Sequence, residues 1–205
     1  MDKLAKVISA VLFPSTWAMV GTYFVLFHDP KIYLPKNQKE LYFFLFFGLY
    51  LALPLFFLMV GNKSSKISVI SLPKRESRHV YLLIFSLYFF VLHLLTKEKI
   101  SRFMEVSLMA SCVTFCMAFV VNLKIKASLH MMGLLGFIGQ MLFFFQLNRQ
   151  LPSYWLAIFF VFVPAVMWSR IYLKAHTRRE VLYGSCLGLF INLIVFYLYY
   201  GFPNH

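Results

Sequence analysis

The sequence is short of charge. Asp, Glu, Lys and Arg make up 13% of its 205 residues, where a soluble domain carries about 25%. Only seven residues are acidic. So few charges cannot coat a water-exposed surface, which excludes an ordinary soluble domain. Cysteine is scarce too. Cys112, Cys116 and Cys186 have neither disulfide-framework nor zinc-type spacing, so they read as small packing residues. Alternating ten-residue strands are missing, which excludes a membrane barrel. Internal repeats and a low-complexity tail are missing as well.

What is present is apolar. The hydrophobic fraction is 61%, with 25 Phe and 12 Tyr, and the mean hydropathy is +0.75. A helix needs about 20 apolar residues to cross about 30 Å of hydrocarbon. The chain divides into about seven such segments. They run from about Val7 to Phe27, Leu41 to Val60, Val80 to Leu95, Phe103 to Val121, Leu129 to Leu147, Tyr154 to Trp168 and Val181 to Tyr200. The first has a basic start, yet Pro14 interrupts it and His28-Asp29-Pro30 ends it. That pattern predicts a retained span and not a cleaved signal peptide. The expectation is an all-α, polytopic transmembrane bundle, one membrane domain over residues 1–205.

Net charge is +13. The basic residues sit between spans, where anionic lipid headgroups, and not nucleic acid, are the expected partners. With seven spans, one face holds the N-terminus and the loops after spans two, four and six. Thirteen Lys and Arg fall there, Arg78 among them, against seven on the other face. The positive-inside rule would make the first face cytoplasmic. Six of the thirteen lie in two polar segments described next, and without them the faces are equal. The oligomeric state is not legible.

Those segments are residues 122–130 (NLKIKASLH) and 169–180 (SRIYLKAHTRRE). The chain crosses out and back once between His130 and His176, so both segments return to one face. Together they offer two histidines, several cations, serines and one carboxylate. Cations and hydroxyls suit a phosphate. One histidine can attack phosphorus and the other can protonate the departing oxygen. His176 and Glu180 are spaced i,i+4, which puts them on one helix face. There the carboxylate can fix the imidazole tautomer, as in a serine protease triad. Lys126, Ser128 and His130 fit one side of a helix start, where free N–H groups favour anions.

The second segment resembles the third signature of the type 2 phosphatidic acid phosphatase family, in the acid phosphatase and vanadium haloperoxidase superfamily. That signature, S-R-x-x-x-x-x-H-x-x-x-D, stands here as Ser169, Arg170, His176 and Glu180. The first segment is similar to the second signature, P-S-G-H, standing as Ala127-Ser128-Leu129-His130. The first signature, K-x-x-x-x-x-x-R-P, is not intact, and Lys124 and Lys126 are its substitutes. The resemblance covers residues 122–184. It implies a six-helix membrane core, here with one extra N-terminal span.

By position, the resemblance implies His176 as the nucleophile of a phosphohistidine, Glu180 as its orienting acid and His130 as general acid. Arg170, Ser128, Ser169 and a lysine, Lys126 first and Lys124 second, would bind phosphoryl oxygens. It implies no metal and no cofactor. The substrate would be a lipid phosphate: phosphatidic acid, phosphatidylglycerol phosphate, an isoprenoid pyrophosphate or phosphorylated lipid A. It also implies a bacterial inner membrane with the site at the outer face, against the raw lysine and arginine count. The alternative is a lipid-binding or transport protein that kept the scaffold without turnover.

Other polar residues have plainer readings. Lys174, Arg178 and Arg179 suit interfacial anchors. His28, His79 and His93 read as structural. Glu105 calls for a partner or the headgroups. Gln140 and Asn192 suit interhelical hydrogen bonds, and Gly133, Gly136 and Gly139 suit close helix packing. The run Phe143-Phe144-Phe145 is expected to face lipid.

Overall fold

The computed structural model describes residues 1–52, 75–149, 151–152 and 154–201. They form α1 (Asp2–Val11), α2 (Pro14–His28), α3 (Lys36–Phe47), α4 (Arg75–Thr96), α5 (Arg102–Asn122), α6 (Leu129–Leu147), α7 (Tyr154–Tyr172) and α8 (Arg178–Tyr200). A π turn, Gly48–Ala52, extends α3. Residues 53–60 of the second expected span lie outside the described residues, as do Lys63, Lys66 and Lys74.

The described residues are all helix and connection, without strand. Five helices are long and apolar enough to cross a membrane: α4 from Arg78, α5, α6, α7 and α8. This marks a multi-pass membrane protein. The bent pair α1–α2 makes a sixth crossing if it is one span.

The first expected span is broken. α1 and α2 meet at 44°, with Phe13 extended at φ −67, ψ 151 and Pro14 opening α2. Proline disfavours helical backbone in the residue before it and is accommodated at a first helical position. The third span is longer than expected, because polar residues from Arg75 onward are helical.

α6 is the central helix. Of its apolar window 72% is buried, against 22% to 39% for the other four. It packs most extensively on α8, and also on α2 and α7, while α4 packs on α5. This corrects the expectation for Phe143, Phe144 and Phe145, which are all buried. Lipid-facing and protein-facing helix sides are both apolar, so composition does not separate them. Phe143 and Phe144 pack with Phe196 and Phe103. The cysteines divide: Cys112 is buried, while Cys116 and Cys186 are exposed.

The α6–α8 seam is made by small residues. A Cβ on Gly184 would strike the backbone of Ser128, and one on Gly188 the backbone of Met132 and Gly136. On the α6 side, Gly136 and Gly139 face Asn192 and Leu189. Gln140 Nε2 donates to Asn192 Oδ1 at 2.8 Å, the interhelical bond expected. Gly133 lies against Pro14, so it packs on α2.

Gly184→Ala and Gly188→Ala should each destabilise the protein by about 1–3 kcal/mol, the usual range for overpacking. Gly48→Ala meets open space and should leave the thermal midpoint near its starting value. Thermal unfolding in detergent checks the contrast; equal midpoints for all three variants would contradict the seam.

Candidate phosphoryl site

At one end of the bundle, five pieces of chain converge. They are α1, the start of α4, the α5–α6 connection, the end of α7 and the α7–α8 connection. Ser128 N–H donates to the Glu180 carbonyl at 3.0 Å, which ties the start of α6 to the first turn of α8. Arg78 Nη1 donates to the Ala127 carbonyl at 3.3 Å, bringing α4 beside Ser128. The N–H groups of Ala175 and His176 both donate to the Arg170 carbonyl, folding the α7–α8 connection back over α7. The two polar segments do meet, at one end of the bundle.

His176 and Glu180 meet, but not as two residues on one helix face. α8 begins at Arg178, with Thr177 as its N-cap. Thr177 and Glu180 form a capping box: the Thr177 hydroxyl accepts from Glu180 N–H, and the Glu180 carboxylate accepts from Thr177 N–H at 2.9 Å. The same carboxylate oxygen, Oε2, lies 3.2 Å from His176 Nδ1. Glu180 therefore holds the helix start and the imidazole together. A proton on Nδ1 donates to Glu180 and leaves Nε2 with its lone pair.

The cluster is positive and buried. Arg78, Arg170, His130, His176 and Ser128 are all buried, and Lys126 is half-buried on the connection before α6. Burial pushes the His176 imidazole far below its ordinary value, to about 2, reinforced by Arg78, Arg170, Lys126 and His130. These effects outweigh the one carboxylate against its Nδ1. Burial also lowers Lys126, helped by Arg78 and opposed by Glu180.

Three buried donors here have no partner among the described residues: Arg78 Nε, Arg170 Nε and Ser128 Oγ. Buried polar groups are nearly always satisfied, and buried charges are costly unless paired. Cations beside a serine hydroxyl are the donor set of an oxyanion site. Ser128 is the N-cap of α6, yet its side chain makes no capping bond, so the hydroxyl is available.

The expected residues separate as follows. His130, His176, Glu180, Arg170, Ser128 and Lys126 come together. Ser169 is buried beside them, but its hydroxyl donates to the Ala5 carbonyl of α1 at 2.8 Å. Lys124 and Lys174 are exposed on the connections, and Arg178 and Arg179 are exposed at the start of α8. Glu105 is buried at the opposite end of the bundle, where its carboxylate accepts from Glu98 N–H. Among the described residues no group of three or more His, Cys, Asp and Glu could hold a metal.

Two contributors were not singled out from sequence. Arg78 was placed only on the correct face, by counting crossings. Ser9 of α1 belongs to no motif. Arg170 Nη1 donates to Ser9 Oγ, and His130 Nε2 lies 3.1 Å from the Ser9 carbonyl. Ala5 and Ser9, four residues apart, form the face of α1 that meets α7. Small residues at i,i+4 were the available signal.

Burial of a neutral histidine has a pH consequence. Unfolded, His176 titrates near 6.5; folded, it titrates far lower. The unfolded chain therefore binds more protons below pH 6.5, and stability falls as pH falls. Between pH 7 and pH 5 this site should cost up to about 2 kcal/mol, and His176→Gln should remove that part of the loss. Thermal unfolding across pH without phosphate checks it; an unchanged slope in the variant would contradict the burial effect. No protein-family model, curated protein or solved structure matches the chain.

Proposed function

We propose that this end of the bundle binds the phosphate of a membrane lipid and hydrolyses it through a phosphohistidine. One observation carries the reading. A buried imidazole has Nδ1 against Glu180, inside a cation cluster that holds three donors without a partner among the described residues. Nε2 of His176 attacks phosphorus, and the bond to the lipid oxygen breaks. His130, protonated once a bound phosphate offsets the charge of the cation cluster, supplies the proton that oxygen takes. Water then attacks the phosphohistidine and gives a proton back to His130, and the bond from phosphorus to His176 Nε2 breaks to release phosphate. Arg78, Arg170, Lys126 and Ser128 neutralise and orient the phosphoryl oxygens.

The type 2 phosphatidic acid phosphatase resemblance agrees with this reading in motif order. Arg78 supplies the arginine missing from the first signature, from a different place in the sequence. A guanidinium there gives the planar fork that lysine lacks. The seven-crossing topology, with α1–α2 and the second segment added to five apolar helices, belongs to the same proposal. So does the outer face of a bacterial inner membrane as the site's location.

A second reading has one observation in its favour. His130 Nε2 is held at the Ser9 carbonyl, and Ser9 Oγ occupies an Arg170 donor. A site partly filled by α1 suits a lipid-binding or transport protein without turnover.

Phosphate release from a panel of lipid phosphates in detergent separates the two. Hydrolysis should fall by about 10³-fold or more in His176→Ala and by about 10²-fold in His130→Ala. Vanadate should inhibit. Binding without release, or release unchanged in both variants, would overturn the enzyme reading.

A further inference from the structure

α1 enters the site through a carbonyl that its own helix leaves free. The carbonyls of a helix's last turn have no regular donor further along it. At the end of α1, the Ile8 carbonyl accepts from Leu12 N–H at 2.9 Å. The Val11 carbonyl accepts from the Thr16 hydroxyl at 2.9 Å. A continued helix would give Ser9 the N–H of Phe13, four residues on. Instead Leu12 at φ −93, ψ 41 and Phe13 at φ −67, ψ 151 turn the chain out of the helix, and Phe13 N–H makes no bond to Ser9. Pro14 is the reason, since it disfavours helical backbone in the residue before it. Ser9 is 1% exposed, so bulk solvent does not replace the missing donor.

His130 does. Its Nε2 lies 3.1 Å from the Ser9 carbonyl oxygen and 3.4 Å from the Ser9 hydroxyl oxygen. A carbonyl oxygen only accepts, so this contact puts a proton on Nε2. In a neutral imidazole the other nitrogen, Nδ1, then keeps its lone pair. Phe13, whose backbone has withdrawn from Ser9, sets its ring edge-on to the imidazole at 5.3 Å. His176 is held the other way round, with its Nδ1 at Glu180.

We propose that Ser9 is a positioning residue of the phosphatase: its carbonyl, freed by the Pro14 break, keeps one proton of His130 on Nε2, so that the proton exchanged with substrate is carried at Nδ1. This rests on the phosphate-site reading. When His130 is an imidazolium, Nδ1–H gives its proton to the lipid oxygen as the bond from that oxygen to phosphorus breaks. The lipid leaves as an alcohol, and the ring is neutral with Nε2–H still on Ser9. The water that opens the phosphohistidine returns a proton to Nδ1. The ring need not turn between the two steps. α1 therefore serves turnover in the position it holds, and the Ser9 contact leaves His130 free to act.

Nitrogen-15 NMR of the histidine-labelled protein in detergent reads the tautomer without turnover, with His130 assigned by its loss in His130→Gln. At neutral pH the His130 signal should be that of an Nε2–H imidazole. It should stay so in Ser9→Ala, which keeps the carbonyl. A proton on Nδ1 in the unaltered protein, or one that moves there in Ser9→Ala, would overturn the proposal.

Pro14→Ala mends the break. Alanine has an N–H, suits a helix and keeps the Cβ that lies against Gly133. Phe13 N–H should then take the Ser9 carbonyl. His130 should lose its fixed Nε2–H, and kcat for a lipid phosphate should fall by about tenfold with KM little changed. Either change alone, or neither in a folded variant, contradicts the assignment. If that variant unfolds, the tautomers of the unaltered protein and Ser9→Ala still decide. If the unaltered protein hydrolyses no lipid phosphate, the phosphatase reading fails, and the tautomer still shows whether Ser9 holds His130.

Discussion

The close approach of α8 to α6 is the constraint on which the rest depends. Without side chains at Gly184 and Gly188, the first three turns of α8 can lie on the backbone of Ser128 and Met132. That contact allows Ser128 N–H to bond the Glu180 carbonyl. His130, two residues past Ser128, and His176, four before Glu180, are fixed relative to each other by that one join. The lipid bilayer contributes nothing specific between apolar helices, so packing of this kind has to carry the geometry.

Once the join is made, the electrostatics follow. Arg78, Arg170 and Lys126 are gathered beside two histidines and one carboxylate, mostly out of water. Such an arrangement is unfavourable in isolation, and α1 offsets part of it. Ser9 engages Arg170 and His130, and Ala5 engages Ser169. What α1 leaves unmet among the described residues is Arg78 Nε, Arg170 Nε and Ser128 Oγ, which is the donor set a phosphoryl group would use. Glu180 has three tasks at this point: its carboxylate caps α8 and holds His176, and its carbonyl accepts from Ser128.

Much of this was legible in the sequence, for identifiable reasons. Spacing located His176 with Glu180, although a capping box and not a shared helix face brings them together. Counting crossings put residues 122–130 and 169–180 on one face. Glycine at steps of three announced close packing of α6, and Gln140 and Asn192 announced a polar contact. Arg78 was hidden because it lies 49 residues from its partner Ala127 and outside any intact signature. Ser9 was hidden because its role depends on a bend at Pro14 that returns α1 to α7. The burial of Phe143 to Phe145 was hidden because apolar residues facing lipid and facing protein look alike in composition.

The central claim is that His176 Nε2 takes a phosphoryl group within the cation cluster. Rapid quenching of the purified protein during turnover of a ³²P-labelled lipid phosphate tests it most directly. The account predicts a base-stable, acid-labile label on the peptide that carries His176, absent in His176→Ala. Turnover without such a label, or a label on another residue, would contradict it.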